Sequence, residues 1–179
     1  RIAGSVGDPV VVAPWLGWFE SLSDAERAQI VAPVLNKLRA FLSRTSIRRI
    51  VGQASPGWSF DEVLAERGIV LVSLNRGEIG SDTARLLGTL VLHAAWTALQ
   101  RRLSLPASKR DIAALYIDEW PQFAGAVDIG DMAATIRGTD TGLVLASQNI
   151  GQTPAALRSI IAANLRSLVA FAPGTDDRA

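Results

Sequence analysis

Four short apolar runs with little or no polar alternation constrain this chain most: Ile69-Val70-Leu71-Val72-Ser73-Leu74, residues 112–117, Gly142-Leu143-Val144-Leu145-Ala146 and residues 167–172. A half-buried strand alternates apolar with polar side chains, so runs that do not alternate read as strands covered on both faces. Helical periodicity separates each run from the next. Strands alternating with helices in this way predict an α/β fold, a three-layer, mainly parallel sheet with helices on both faces.

The segments between the runs carry helix signals. Residues 82–102 place Leu86, Leu87, Leu90, Val91, Ala94, Ala95 and Leu99 at helical spacing and close on Arg101 and Arg102, cations that suit a helix carboxyl end. Ser23 with Asp24 and Glu26 marks the start of an amphipathic helix over 23–44, with Ile30, Val34, Leu38, Phe41 and Leu42 along it. Further helices are predicted over 61–67, ended by Gly68, over 128–138, and from Pro154 to about Leu165. Residues 1–19, with Trp15 and Trp18 around Val10-Val11-Val12, suit a packed loop or short strand better than a helix. His93 and Trp96 lie one turn apart, and a helix packed on a sheet uses such residues as core.

Composition excludes several kinds of chemistry. No cysteine is present, which rules out a disulfide scaffold and a thiolate zinc site, and His93 is the single histidine. With 18 basic and 17 acidic residues the net charge is +1, so the overall balance advertises no nucleic-acid surface. Arg48-Arg49, Arg101-Arg102 and Lys109-Arg110 are scattered pairs that suit solvated helix ends. No apolar run approaches the roughly 20 residues needed to span a bilayer, and the chain reads as soluble and as a piece of something longer.

In a parallel sheet the ligand lies beyond the carboxyl ends of the strands, so the polar residues that close each run are the site candidates. The run ending Leu115-Tyr116-Ile117 delivers two adjacent carboxylates, Asp118 and Glu119. The first can hold Mg²⁺ through its waters, and the second can orient or deprotonate a water for attack on a terminal phosphate. Equally, the pair can begin a turn and cap the next helix. Gln148 closes the run 142–146 and can sense a γ-phosphate or face solvent; Arg137, eleven residues earlier, can reach a neighbouring subunit's nucleotide or be a surface arginine. Leu74-Asn75-Arg76-Gly77 is a polar exit from the first run, or a simple turn.

The order of these segments resembles the conjugative DNA-transfer ATPases, the type IV coupling proteins with their HerA-like and FtsK-like relatives among RecA-type motors. Carrying the resemblance are Val34 to Leu42, Arg48-Arg49-Ile50-Val51-Gly52-Gln53, Gly68 to Gly77, Leu86-Leu87-Gly88, Tyr116 to Phe123, Gly142 to Gln148, Asn164 and Phe171. The resemblance implies part of a RecA-like P-loop NTPase core over 53–179, and over 1–52 a lead-in and a segment of an all-helical insert. It implies Walker B at Asp118 and Glu119, the phosphate-sensing glutamine at Gln148 and a trans-acting arginine at Arg137, with ATP and Mg²⁺ as ligands. It further implies a DNA-translocating homohexamer in the parent protein. That parent would work in the cytoplasm at the inner face of the membrane, beside relaxosome or secretion-channel proteins.

One element of that family is missing. A Walker A loop needs Gly-x-x-x-x-Gly-Lys-Ser/Thr so that backbone amides and a lysine cradle the phosphates, and no such stretch exists; Gly4-Ser5-Val6-Gly7 comes closest and has no lysine. In the family the loop precedes the insert, which fits a chain beginning after it. The alternative is a degenerate, non-catalytic ATPase-like module that binds a partner protein, in keeping with Trp15, Trp18 and Trp58 as surface residues. A dinucleotide or ester-cleaving enzyme would need Gly-x-Gly-x-x-Gly or Gly-x-Ser-x-Gly, and neither occurs.

Overall fold

The computed structural model describes residues 8–171 except Pro56, Ile150 and Gln152, and the chain divides into two compact units, Arg1–Ala54 and Ser55–Ala179. Gly4-Ser5-Val6-Gly7, the rest of 1–7, and Ala172 lie outside the described residues.

In the first unit, α1 (Pro9–Pro14) runs into a π-helical turn at Trp15–Phe19, where a loop or strand was expected. The Asp8 carboxylate accepts the Val10 N–H at 2.9 Å and Pro9 takes the first helical position. That start signal outweighs the strand preference of the three valines. α2 (Asp24–Leu42) forms as expected and is opened by a reciprocal box: the Ser23 N–H donates to Glu26 Oε2 at 2.9 Å, and the Glu26 N–H donates to Ser23 Oγ at 3.4 Å. The Ser23 hydroxyl and amide donors hold the Glu26 carboxyl below its ordinary pKa. Of the expected apolar stripe, Ile30, Val34, Leu38 and Leu42 remain exposed and Phe41 is buried; α3 (Thr45–Val51) adds buried Ile47.

The second unit is mixed α/β, mostly helical, with a parallel sheet of two strands. α4 (Phe60–Ala65) ends with Arg67 in the left-handed region at φ 55° and the Gly68 N–H donating to the Val63 carbonyl at 2.8 Å. This is a Schellman ending in which Arg67, and not the expected Gly68, takes the left-handed turn. Residues 68–75 follow, then α5 (Arg76–Ile79) and the long α6 (Ser81–Arg101). β1 (Ala113–Ile117), α7 (Ile129–Thr135), β2 (Thr141–Leu145) and α8 (Ala155–Asn164) complete the order.

β1 and β2 pair in register from Ala113↔Thr141 to Ile117↔Leu145. Leu92, Trp96 and Leu99 of α6, with Ile129 and Met132 of α7, form the core against Ile117, and Leu115, Leu143 and Leu145 pack against its edge. The opposite side chains, Ala114, Tyr116, Gly142 and Val144, are exposed. The sheet is therefore covered on one face among the described residues, whereas the unalternating runs had suggested two. Trp96 serves the core as expected, and His93 faces solvent.

The runs 69–74 and 167–171 belong to no strand among the described residues. Ile69 and Leu71 are 87% and 92% exposed, and Leu168 and Phe171 are 87% and 89% exposed. Apolar composition supplies the burial drive of a strand, but the backbone bonds must come from a neighbour, and neither run has one here.

Two contacts show that the segment 68–75 runs in the same direction as β1. At its start Arg67 Nη2 meets Asp111 Oδ1 at 2.7 Å, just before β1; this pairing raises the arginine's pKa and lowers that of the aspartate. At its end Leu74 shares a seat on Gly88 of α6 with Phe123, just past β1: a Cβ on Gly88 would stand 2.6 Å from Leu74 Cδ1 and 2.6 Å from Phe123 Cε1. Segment and β1 therefore point the same way, with α6 between them in sequence.

Gly88→Ala tests this seat. Alanine in a helix gains about 0.8–1.0 kcal/mol over glycine, while overpacking costs about 1–3 kcal/mol. A net loss of roughly 1 kcal/mol, read as a lower urea midpoint, is expected; a raised midpoint would show that the two side chains move aside freely.

Candidate functional site

The carboxyl ends of β1 and β2 are tied together beyond the regular ladder. The Ala146 N–H donates to the Ile117 carbonyl at 3.0 Å, and the Ala146 carbonyl accepts the Trp120 N–H at 3.2 Å. One residue after β2 therefore clamps both sides of the Asp118-Glu119 pair. Trp120 and Phe123 are buried in a 3₁₀ turn (Trp120–Phe123), so the chain leaves β1 and re-enters the core within three residues. Between these anchors Glu119 is left-handed, at φ 50° and ψ 40°. For a non-glycine residue that costs on the order of 1 kcal/mol.

The carboxylates are held in place by short bonds. Asp118 Oδ1 accepts the Glu119 N–H at 3.0 Å, and Gln148 Nε2 donates to Glu119 Oε1 at 2.7 Å. An ionised carboxylate only accepts, so the amide must present its NH₂ to Glu119. Asp118 is exposed and Glu119 half-buried. The three residues singled out at the strand ends therefore meet at one place, joined across the two strands.

Arg137 does not join them. It is exposed in the 3₁₀ turn Ile136–Thr139 that leads into β2, opposite the amino end of β1. With five paired residues in each strand, about 16 Å of sheet separates it from the carboxylates. Within one chain it takes no part in this site.

An open groove of about 1630 Å³ runs along β1 over α6, with residues 68–72 as its far wall. At the carboxyl end of the strand its lining includes Asp118, Glu119, Gln122, Gln148 and Arg76. In the sequence Gln122 stands only within the stretch Tyr116 to Phe123, and Arg76 only within the polar exit Leu74-Asn75-Arg76-Gly77, so neither carries a role of its own there. At the amino end are Arg67, Arg102, Arg110 and Asp111. Among the described residues no three His, Cys, Asp or Glu side chains gather as metal ligands. Asp118 and Glu119 are the residues that could hold a divalent cation here, and Mg²⁺ is commonly bound by one or two carboxylates with water and phosphate oxygens completing its shell.

The chain matches no protein-family model, no curated protein and no solved structure. Among the described residues no helix is long and apolar enough to cross a membrane.

Proposed function

We propose that the second unit is the Walker B portion of a RecA-like, ATP-driven motor, one that moves DNA as the conjugative coupling proteins do. The observation that carries this is the Gln148–Glu119 bond at 2.7 Å, which links the amide after one parallel strand to the second carboxylate after the other. Asp118 would hold Mg²⁺ by way of its waters, and Glu119 would orient or deprotonate the attacking water. Gln148 fixes Glu119 now and would answer to a γ-phosphate when one arrives. The parallel course of residues 68–75 beside β1 supports a wider sheet, in which β1 becomes an inner strand. DNA, the homohexamer, the role of Arg137 across a subunit boundary and a cytoplasmic site at the membrane rest on the family resemblance alone.

A second reading is a partner-binding module without catalysis. Trp15, Trp18 and Trp58 are exposed, and the sequence has no Walker A loop to supply most of the phosphate affinity.

Titrating the chain with millimolar ATP separates the two. On the first reading, ATP resonances broaden in the presence of Mg²⁺, lose that broadening with chelator, and lose it in Asp118→Asn. Protein-dependent broadening that needs no Mg²⁺, or no broadening beyond that of Mg²⁺ and ATP without protein, would favour the partner-binding module.

A further inference from the structure

Four arginines line the groove, and three are occupied. Arg67 pairs with Asp111 at 2.7 Å. Arg102 is buried, with its guanidinium on the Asp111 carbonyl and on Thr141 Oγ1. Arg110 donates to the Leu105 and Gly138 carbonyls, at 2.9 and 2.8 Å, and lies 3.5 Å from Asp140 Oδ2. These three hold the amino end of β1 in place.

Arg76 differs on both counts. Its guanidinium is exposed and has no hydrogen-bond or ion-pair partner among the described residues, and it lines the same groove as Asp118, Glu119, Gln122 and Gln148, with Leu74 two residues before it seated beside Phe123 past the carboxyl end of β1. Its position is built. Leu74 is seated on Gly88 beside Phe123, and the Asn75 side chain accepts the Gly77 N–H at 3.0 Å, fixing the backbone on either side of Arg76. The same seat fixes Phe123, four residues after Glu119. Arg76 and the carboxylates are thus mounted on one support, yet no ion pair joins them.

A rim with two carboxylates and one uncommitted guanidinium suits a ligand that brings both a divalent cation and an excess of negative oxygen. We propose that Arg76 is a phosphate-binding residue of this site, taking oxygens of a Mg²⁺-bound polyphosphate while Asp118 faces the metal. Guanidinium matches phosphate with a planar pair of donors, which lysine can replace only as a point charge. The inference rests on the nucleotide reading and adds to it a cation from within the chain, distinct from Arg137.

The probe is inorganic tripolyphosphate with Mg²⁺, titrated at millimolar concentration into the whole 179-residue chain and followed by ³¹P line broadening. Arg76→Gln is compared with Arg76→Lys and with Arg67→Gln, which removes the same charge at the far end of the groove. Circular dichroism checks the fold of each, and the exposed position of Arg76 makes its variants tolerable. Arg76→Gln is expected to weaken binding about ten- to a hundredfold, the range for a lost charge-assisted bond. Arg76→Lys should keep part of the affinity and Arg67→Gln nearly all. Binding by the wild type that Arg76→Gln leaves intact, or weakens no more than Arg67→Gln does, overturns the role of Arg76 and leaves the motor reading standing. Absence of Mg²⁺-dependent binding by the wild type overturns the role of Arg76, and the motor reading is then decided separately by the hydrolysis test of Glu119→Gln.

Discussion

Glu119→Gln, in a form of the protein that carries a phosphate-binding loop ahead of these residues, is expected to slow ATP hydrolysis by about 10²- to 10⁴-fold, the usual contribution of a positioned base. Nucleotide binding should change little. Glutamine keeps the length of the side chain and can still accept the Gln148 amide, and it meets the same left-handed backbone that Glu119 tolerates. What it loses is the negative charge that, on the proposed function, would orient and deprotonate water. Phosphate release measured with and without DNA reads the effect; equal rates in wild type and variant would move the base elsewhere. The chain without such a loop should turn over no ATP above a buffer blank, because the carboxylates supply chemistry but little of the attraction for triphosphate.

Ile129→Ala should lower the stability of the second unit by about 2–5 kcal/mol. Ile129 is fully buried at the start of α7, where Asp128 caps the helix by accepting the Asp131 N–H at 2.8 Å. Its neighbours cannot readily close the space. Trp96 and Trp120 belong to the same core, and the Ala146 clamp fixes the backbone at Trp120. With total stabilities of about 5–15 kcal/mol for a domain, the loss is a large share of the whole. Urea unfolding followed by tryptophan fluorescence measures it, and a midpoint within error of wild type would mean that the core relaxes around the missing side chain.

The sequence made the site legible because its signals are local. An apolar run that stops on Asp118-Glu119, and another followed by Gln148, put three polar groups at strand ends, and parallel pairing brought them together. α2, α6 and α8 were legible for the same kind of reason: Ser23 and Glu26 form a reciprocal box, α6 keeps one apolar face, and Pro154 precedes α8. The run 69–74 resembles β1 in composition but has no strand partner here, because pairing is a property of two segments and composition belongs to one. The valines at 10–12 argued for extended chain, whereas the short-range Asp8-Pro9 signal set a helix. Nothing in the residue types announces that Glu119 is left-handed, or that Arg67 rather than Gly68 turns the end of α4. Both follow from where the chain must go next.

A bare apolar segment such as 69–74 is also an aggregation hazard, since an unpaired β-branched stretch is a template for another copy of itself. The chain flanks it with arginine on each side, Arg67 just before and Arg76 just after. Charges in those places act as gatekeepers, because stacking copies in register would stack like charges. Arg67 is already half neutralised by Asp111, so much of the protection falls to Arg76. The residue best placed to meet a phosphate is then also the one that keeps the neighbouring run from meeting its own kind.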